Sequence, residues 1–184
     1  DQFGHSLAVG DSDRDGGDDL WIGAVSADGA ENAADLAGEA ALILSSQLTP
    51  GTVIDLATGH DGILVYGPAA GARLGRFATA ADITGDGATD LLISAPNMLD
   101  RRGAVFVLNG GGEYPSDAAE AANEYLGLEP GDELGTEVYG APPIHVVDLD
   151  GDGELDVIIA AAKADGPDNS RTDCGEAYVF FGGG

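Results

Sequence analysis

An aspartate-rich segment of nine residues occurs three times along the chain, at intervals of about 70 residues. The copies occupy residues 11–19, 82–90 and 148–156, and each runs directly into a short apolar segment. Repetition at this spacing indicates a fold built from repeated supersecondary units, each stacked on its neighbour. A single irregular core would not require the same segment three times.

Other landmarks repeat in step with these acidic segments. An apolar residue and a glycine stand before each one (Phe3-Gly4, Leu74-Gly75 and Leu134-Gly135), and a later glycine opens a further apolar run (Gly38, Gly103 and Gly175). Short runs rich in Val, Ile and Leu, bounded by Gly, Asp and Pro, predict β-strands. Four such runs fall in each of the first two units and three in the last. Helix signal is weak: residues 117–125 predict at most two turns, capped by Asp117.

The acidic segments are predicted to bind metal ions. Carboxylates held about 4 Å apart repel by about 4 kcal/mol per pair at an effective dielectric near 20, so a bound cation is expected. Oxygen ligands at positions 1, 3, 5 and 9, a backbone carbonyl at position 7 and a tight turn at position 6 favour Ca²⁺ over Mg²⁺. The alternative is three ordinary turns with solvated acids. Three copies in register favour the metal sites.

An EF-hand shares the opening spacing but requires a glutamate at position 12 and a helix on either side. Position 12 is instead Ile22, Ile93 and Ile159, each inside a run typical of a strand. The sequence therefore predicts calcium loops that join two strands. Thr84 replaces an aspartate at position 3 of the second loop, which predicts that this site binds most weakly.

Composition excludes several classes of function. The chain has 33 acidic and 7 basic side chains among 184 residues, a formal net charge of −26. Such a surface repels nucleic acids and anionic lipid headgroups, so we do not expect nucleic-acid binding. No apolar run approaches the roughly 18 residues of a membrane span, so we do not expect direct membrane insertion either. The hydrophobic fraction of 43% is too high for a disordered acidic tail. The lone Cys174 excludes an intrachain disulfide.

The landmarks together resemble the FG-GAP repeats of integrin alpha-subunit propellers. The first repeat carries Phe3-Gly4 and the segment 22–25, the second carries Leu74-Gly75 and Ser94-Ala95-Pro96, and the third is the loosest copy. The resemblance implies an all-β, β-propeller-like arc of three four-stranded antiparallel blades, the last incomplete. One domain, 1–184, would hold blades at approximately 1–67, 68–128 and 129–184.

The resemblance also implies the metal ligands, position by position, and three Ca²⁺ ions. The first site would use Asp11, Asp13, Asp15, the Gly17 carbonyl and Asp19. The second would use Asp82, Thr84, Asp86, the Ala88 carbonyl and Asp90, and the third Asp148, Asp150, Asp152, the Glu154 carbonyl and Asp156.

The resemblance places a protein or glycan partner on the face opposite the calcium loops. That face would be formed by loops 27–37, 97–102 and 163–174 and by the inter-blade loops 68–73 and 129–133.

Because three blades leave uncovered ends, we expect a homo-oligomer, a filament or part of a longer propeller chain. The predicted function is a calcium-stabilised adhesion, protein-binding or self-assembly module. Because such weak calcium sites need millimolar calcium, we expect an extracellular or cell-surface location.

The alternative is an extracellular polysaccharide-active hydrolase or lyase on the same scaffold. No catalytic constellation is recognisable in the sequence, so a non-enzymatic role is favoured. Of the three histidines, His60 beside Asp61 is interpreted as a turn residue, and His5 and His145 as surface or packing groups of strands.

Overall fold

The computed structural model describes residues 1–55 and 62–183, so His60 and Asp61 lie outside the described residues. Within these ranges the chain forms eleven β-strands in three antiparallel sheets. The first sheet contains β1 (Phe3–Gly10), β2 (Asp19–Ala24), β3 (Glu39–Ile43) and β4 (Ile63–Tyr66). The second contains β5 (Ala78–Ala81), β6 (Asp90–Ala95), β7 (Ala104–Leu108) and β8 (Asn123–Leu126), and the third β9 (Ile144–Val147), β10 (Asp156–Ala161) and β11 (Glu176–Phe180).

Each sheet follows chain order, every strand pairing with the next one along the sequence. The all-β prediction is confirmed, and so is the smaller third sheet, which has three described strands. The two helical turns predicted over 117–125 are wrong. That segment forms one 3₁₀ turn, Ala118–Glu120, with the Asp117 carboxylate accepting the Ala119 N–H at 2.9 Å, and then enters β8. Pairing with β7 outweighs the local helix signal. The other short turns among the described residues are Ala30–Asn32, Ser45–Gln47 and the helical turn α1 (Met98–Arg101).

The three sheets stack face to face, with the second in the middle. Alternate side chains of the first sheet, including Trp21 and Leu42, pack with Leu91 and Phe106 of the second in one apolar cluster. The opposite face of the second sheet packs against the third in another cluster, which contains Ile159. Strands β6 and β7 are buried along their whole length because they are covered on both sides. This is the arrangement of adjacent propeller blades.

Two of the repeated glycines lie where neighbouring sheets meet. A Cβ on Gly38 would stand 2.2 Å from the Leu74 backbone, and one on Gly103 would stand 2.3 Å from the Leu134 backbone. Both glycines have positive φ, 81° in each case. The Leu74 N–H donates to Ala37 and the Leu134 N–H to Arg102, both at 2.9 Å. The glycine of one repeat and the apolar–glycine pair of the next therefore form the backbone contact between sheets.

The acidic segments join β1 to β2, β5 to β6 and β9 to β10. Each therefore connects two adjacent antiparallel strands, which excludes the helix–loop–helix of an EF-hand. The connections on either side of these hairpins lie at the opposite ends of the sheets. No helix in the described part of the chain is both long and apolar enough to cross a membrane.

Candidate metal centres

The first acidic loop gathers three carboxylates in one place. Asp11, Asp13 and Asp15 each offer an oxygen within 4.8 Å of the others, close enough for one ion to touch all three at typical Ca²⁺ distances. The loop brings them together because Asp11 accepts the N–H groups of Asp15 and Gly16, both at 3.1 Å. Gly16 has a φ of 87°, which lets the chain turn sharply beneath the cluster.

The third loop forms a similar group from different positions. Asp148, Asp150 and Asp156 offer oxygens within 4.8 Å of one another. Asp148 again accepts two loop N–H groups, from Gly151 at 2.6 Å and Gly153 at 3.1 Å. The first-position aspartates thus shape the loop with the same carboxylates that are predicted to bind metal.

The second loop departs from the other two. Within the described residues its carboxylates form no group of three comparable with those of loops one and three. Thr84 supplies no carboxylate at the third position, and Asp86 is paired with Arg14, whose Nη2 lies 2.6 Å from its Oδ2. The hydrogen bond from Arg14 lowers the pKa of Asp86 below its ordinary value. The guanidinium of Arg14 therefore pairs with Asp86, one of the side chains that are predicted to bind the metal ion.

The ninth-position aspartates are buried and brace the hairpin. In each loop one oxygen accepts an N–H from the start of the loop and the other accepts an N–H from the end of the third strand. The donors are Ser12 and Ser45 for Asp19 (2.9 and 2.7 Å), Ile83 and Gly110 for Asp90 (2.9 and 2.8 Å), and Leu149 and Gly182 for Asp156 (2.6 and 2.9 Å). Burial raises the pKa of Asp19, whereas the Gly182 N–H lowers that of Asp156. Position nine is thus structural in all three loops.

The donor set fits a hard divalent cation. All side-chain ligands are carboxylate oxygens except the Thr84 hydroxyl, and the predicted carbonyl ligands Gly17, Ala88 and Glu154 lie in the same turns. The N–H groups of these three residues donate to the fifth-position aspartates Asp15, Asp86 and Asp152, at 2.7 to 2.9 Å. This bond holds the seventh residue against the loop interior. The full ligand set remains a prediction.

The first two loops are joined to each other. The Thr89 N–H donates to the Asp11 carbonyl at 2.8 Å, and the Gly111 N–H to the Ser12 carbonyl at 2.7 Å. The Tyr114 hydroxyl also donates to Ser12, at 3.2 Å, and its ring meets Trp21 edge-on with centroids 5.1 Å apart. The acidic loops of neighbouring sheets therefore form one connected surface.

Sequence reasoning missed three residues of this region. Arg14 bridges two loops, Ser45 donates to Asp15 at 3.1 Å, and buried Ser12 accepts from the Trp21 indole at 3.2 Å. Arg14 had a detectable signal, since it is the one basic side chain within the three acidic segments. Ser45 had none, because it lies 30 residues from its partner.

Comparison with known proteins agrees with this architecture. Residues 74–108 match the FG-GAP repeat family. Over 166 residues, 89% of its length, the chain is 29% identical to integrin alpha-4 of Xenopus laevis. It spans only 14% of that relative's length.

The fold and these matches define an all-β protein with sheets arranged as FG-GAP propeller blades. More particularly, the chain resembles integrin-like FG-GAP repeat proteins: the family match covers the second acidic loop with its flanking strands, and the similarity to integrin alpha-4 extends over most of the chain.

Proposed function

We propose that this chain is a calcium-stabilised propeller module that works in adhesion or protein binding at the cell surface or outside the cell. The observation that carries the proposal is the presence of three acidic hairpin loops at equivalent positions of three sheets. The second loop lies within the FG-GAP match, and the first and third each gather three carboxylates within 4.8 Å. The similarity to an integrin alpha subunit supports the binding role.

The proposed Ca²⁺ sites use the ligands assigned from the sequence. Asp13 and Asp150 at the third position and the fifth-position aspartates are exposed and accept few hydrogen bonds, so a metal ion would compensate their mutual repulsion. The ion would tie the loop to the hairpin below it through the first- and ninth-position carboxylates. The second site would bind most weakly, because it has three aspartates and one of them is paired with Arg14.

The partner surface is proposed to lie opposite the acidic loops. At that end of the second sheet a cavity of about 350 Å³ is lined by Arg73, Arg76, Pro96, Asn97, Arg101, Glu133 and Thr136. Among the residues that line it there is one acid and no histidine, which supports a binding role over acid–base hydrolysis.

The outward faces of the first and third sheets support a role in assembly. Leu7 and Val9 are 60% and 57% exposed, and Val147, Val179 and Phe181 are 42%, 43% and 61% exposed. In a propeller such faces are covered by the next blade. We propose that a second copy, or further blades of a longer chain, covers them.

Thermal unfolding with and without calcium tests the stabilising role. At ten times its dissociation constant one ion adds about 1.4 kcal/mol, so three add about 4 kcal/mol. For a chain of this size that raises Tm by about 10 °C. An identical Tm in millimolar calcium and in EDTA would refute the role.

Size-exclusion chromatography with light scattering, in millimolar calcium, tests the proposed assembly. We expect a mass that is a multiple of the 18.4 kDa chain. A well-folded monomer over a wide range of concentration would contradict self-assembly and leave the calcium proposal intact.

A further inference from the structure

The cavity opposite the acidic loops concentrates positive charge on a strongly negative protein. Three of the seven basic side chains of the chain, Arg73, Arg76 and Arg101, line it, although the net charge is −26. They come from separate segments: Arg73 and Arg76 precede β5, whereas Arg101 lies between β6 and β7. Because acidic side chains outnumber basic ones 33 to 7, a randomly placed group of charged residues would consist mainly of carboxylates.

Two of these guanidinium groups already have acidic partners. Arg76 lies 3.3 Å from Glu137, and Arg101 forms an ion pair with Glu133, whose side chain is only 11% exposed. Arg73 is half-buried and forms no ion pair with any carboxylate in the described part of the chain. The cavity and its partners therefore carry one uncompensated positive charge, located at Arg73.

The backbone holds this arrangement in place. The Arg73 N–H donates to Leu36 at 3.1 Å, and the Asn97 N–H donates to Ala72 at 3.3 Å. The Arg101 carbonyl accepts the N–H groups of Gly131 and Glu133, at 3.1 and 2.9 Å. Four connecting loops, 27–37, 68–73, 97–102 and 129–133, are thus joined to one another around the cavity, so the site exists before a ligand arrives.

We propose that this cavity binds one carboxylate side chain, an aspartate or glutamate, of a protein partner. The Arg73 guanidinium would form a bidentate pair with the carboxylate, and the Asn97 amide and Thr136 hydroxyl supply neutral donors in the same lining. The inference rests on the proposed binding function for the nature of the partner, and it adds the residues and the chemistry of recognition.

Charge favours a single carboxylate over other anions. One negative charge neutralises the unpaired positive charge of Arg73, whereas a dianion would leave one uncompensated negative charge close to the carboxylates of Glu133 and Glu137. A polymeric anion such as a polyuronate would bring many further charges against a surface of net charge −26. A peptide loop needs to carry only one acid to satisfy the site. A cavity of about 350 Å³ also suits one or two side chains.

A titration followed by NMR tests the proposal. The isotope-labelled chain, in calcium buffer, is titrated with the blocked tripeptide acetyl-Gly-Glu-Gly-amide while the arginine Nε–H signals are recorded. We expect saturable shifts of Arg73 and of the backbone amides near Asn97 and Thr136. The same peptide with Gln in place of Glu is the matched probe and should produce none.

Two variants and a control test whether the peptide binds in the cavity. Arg73→Gln should weaken peptide binding about tenfold, since it removes a hydrogen-bonded charge pair. Thr136→Val, which is isosteric, should weaken it by a smaller factor and serves if the first variant does not fold. Arg171→Gln, an exposed arginine outside the cavity lining, should bind as the parent does. Binding unaffected by Arg73→Gln and Thr136→Val would overturn the proposal.

Other probes separate the possible sources of the anion. Equal binding of the Glu and Gln peptides, or tighter binding of sulfate or oligogalacturonate than of the Glu peptide, would also overturn the proposal. Tm in calcium and EDTA is measured on the same samples. Peptide binding without calcium stabilisation would refute the metal role alone, and stabilisation without peptide binding would refute the pocket alone.

Discussion

The Arg14 guanidinium of the first acidic loop lies 2.6 Å from the Asp86 carboxylate of the second. These two loops belong to neighbouring sheets, so the ion pair crosses the boundary between repeats. The ion pair places the positively charged Arg14 side chain beside the second loop, which has the fewest carboxylates of the three. The second loop therefore differs from the other two in its partner as well as in its sequence.

Arg14→Gln should raise the pKa of Asp86 toward its ordinary value in the metal-free protein. Because Arg14 lowers this pKa in the folded state, the pair stabilises the fold above the unfolded pKa of about 4, and this contribution is lost as the pH falls through the folded pKa. NMR titration of the Asp86 carboxyl in EDTA measures the shift. An identical pKa in both proteins would show that the ion pair does not form in solution.

Replacement of a first-position aspartate should remove one calcium site. Asp11→Asn and Asp148→Asn each weaken a three-carboxylate group, so isothermal titration calorimetry should show one ion fewer per chain. Calcium should then raise Tm by about one third less. Asp35→Asn, an exposed acid outside the loops, is the matched control. Unchanged stoichiometry in both loop variants would refute the assigned ligands.

Asp90→Ala should destabilise the fold with or without calcium. The buried Asp90 carboxylate accepts N–H groups from Ile83, Thr84 and Gly110, at 2.8 to 3.1 Å, and alanine leaves all three unsatisfied. We expect a loss of about 3 kcal/mol or more in free energy of unfolding. Chemical denaturation in EDTA separates this structural role from metal binding. A loss seen only in calcium would contradict it.

Gly103→Ala should cost much more stability than Gly175→Ala. Both glycines have similar positive φ values, 81° and 77°, so both substitutions carry the same backbone strain. A Cβ at 103 would lie 2.3 Å from the Leu134 backbone, whereas the nearest atom to one at 175 is 3.7 Å away. The difference in unfolding free energy should be about 2 kcal/mol or more. Equal losses would mean that the sheets do not pack as described.

Tyr114 should make stability depend on pH in alkaline solution. Burial raises the pKa of Tyr114 to about 12, against about 10 in an unfolded chain. The folded state therefore favours the neutral phenol, and this stabilisation, complete below about pH 10, is lost as the pH rises to about 12. Denaturation of the parent and of Tyr114→Phe across that range measures it. Parallel pH profiles would show that Tyr114 is not buried.

The repeated pattern was sufficient to predict the strands and the loops between them. Because each acidic segment stands between two short β-type runs, hairpins could be inferred without tertiary information, and Ile22, Ile93 and Ile159 lie in strands as expected. The helical turns expected after Asp117 were wrong, since local propensity is overridden when β8 pairs with β7.

The relations between repeats could not be predicted in the same way. Arg14 with Asp86, Ser45 with Asp15 and Arg73 with Asn97 come together only when sheets stack or a third strand ends beside a loop. Their separations in sequence carry no periodic signal. The arginine cavity is the clearest case, because its residues read individually as solvated loop positions.

The sequence alone determined what repeats: strand periodicity, glycine turns and acidic hairpins are local properties of short segments, and three copies make them unambiguous. The tertiary structure decided how the copies differ. The packing of one sheet against the next determines which charges meet across the boundary between repeats. It leaves three carboxylates grouped in each of the first and third loops, and it pairs Asp86 of the second loop with Arg14. It also brings three arginines together at the opposite end of the sheets.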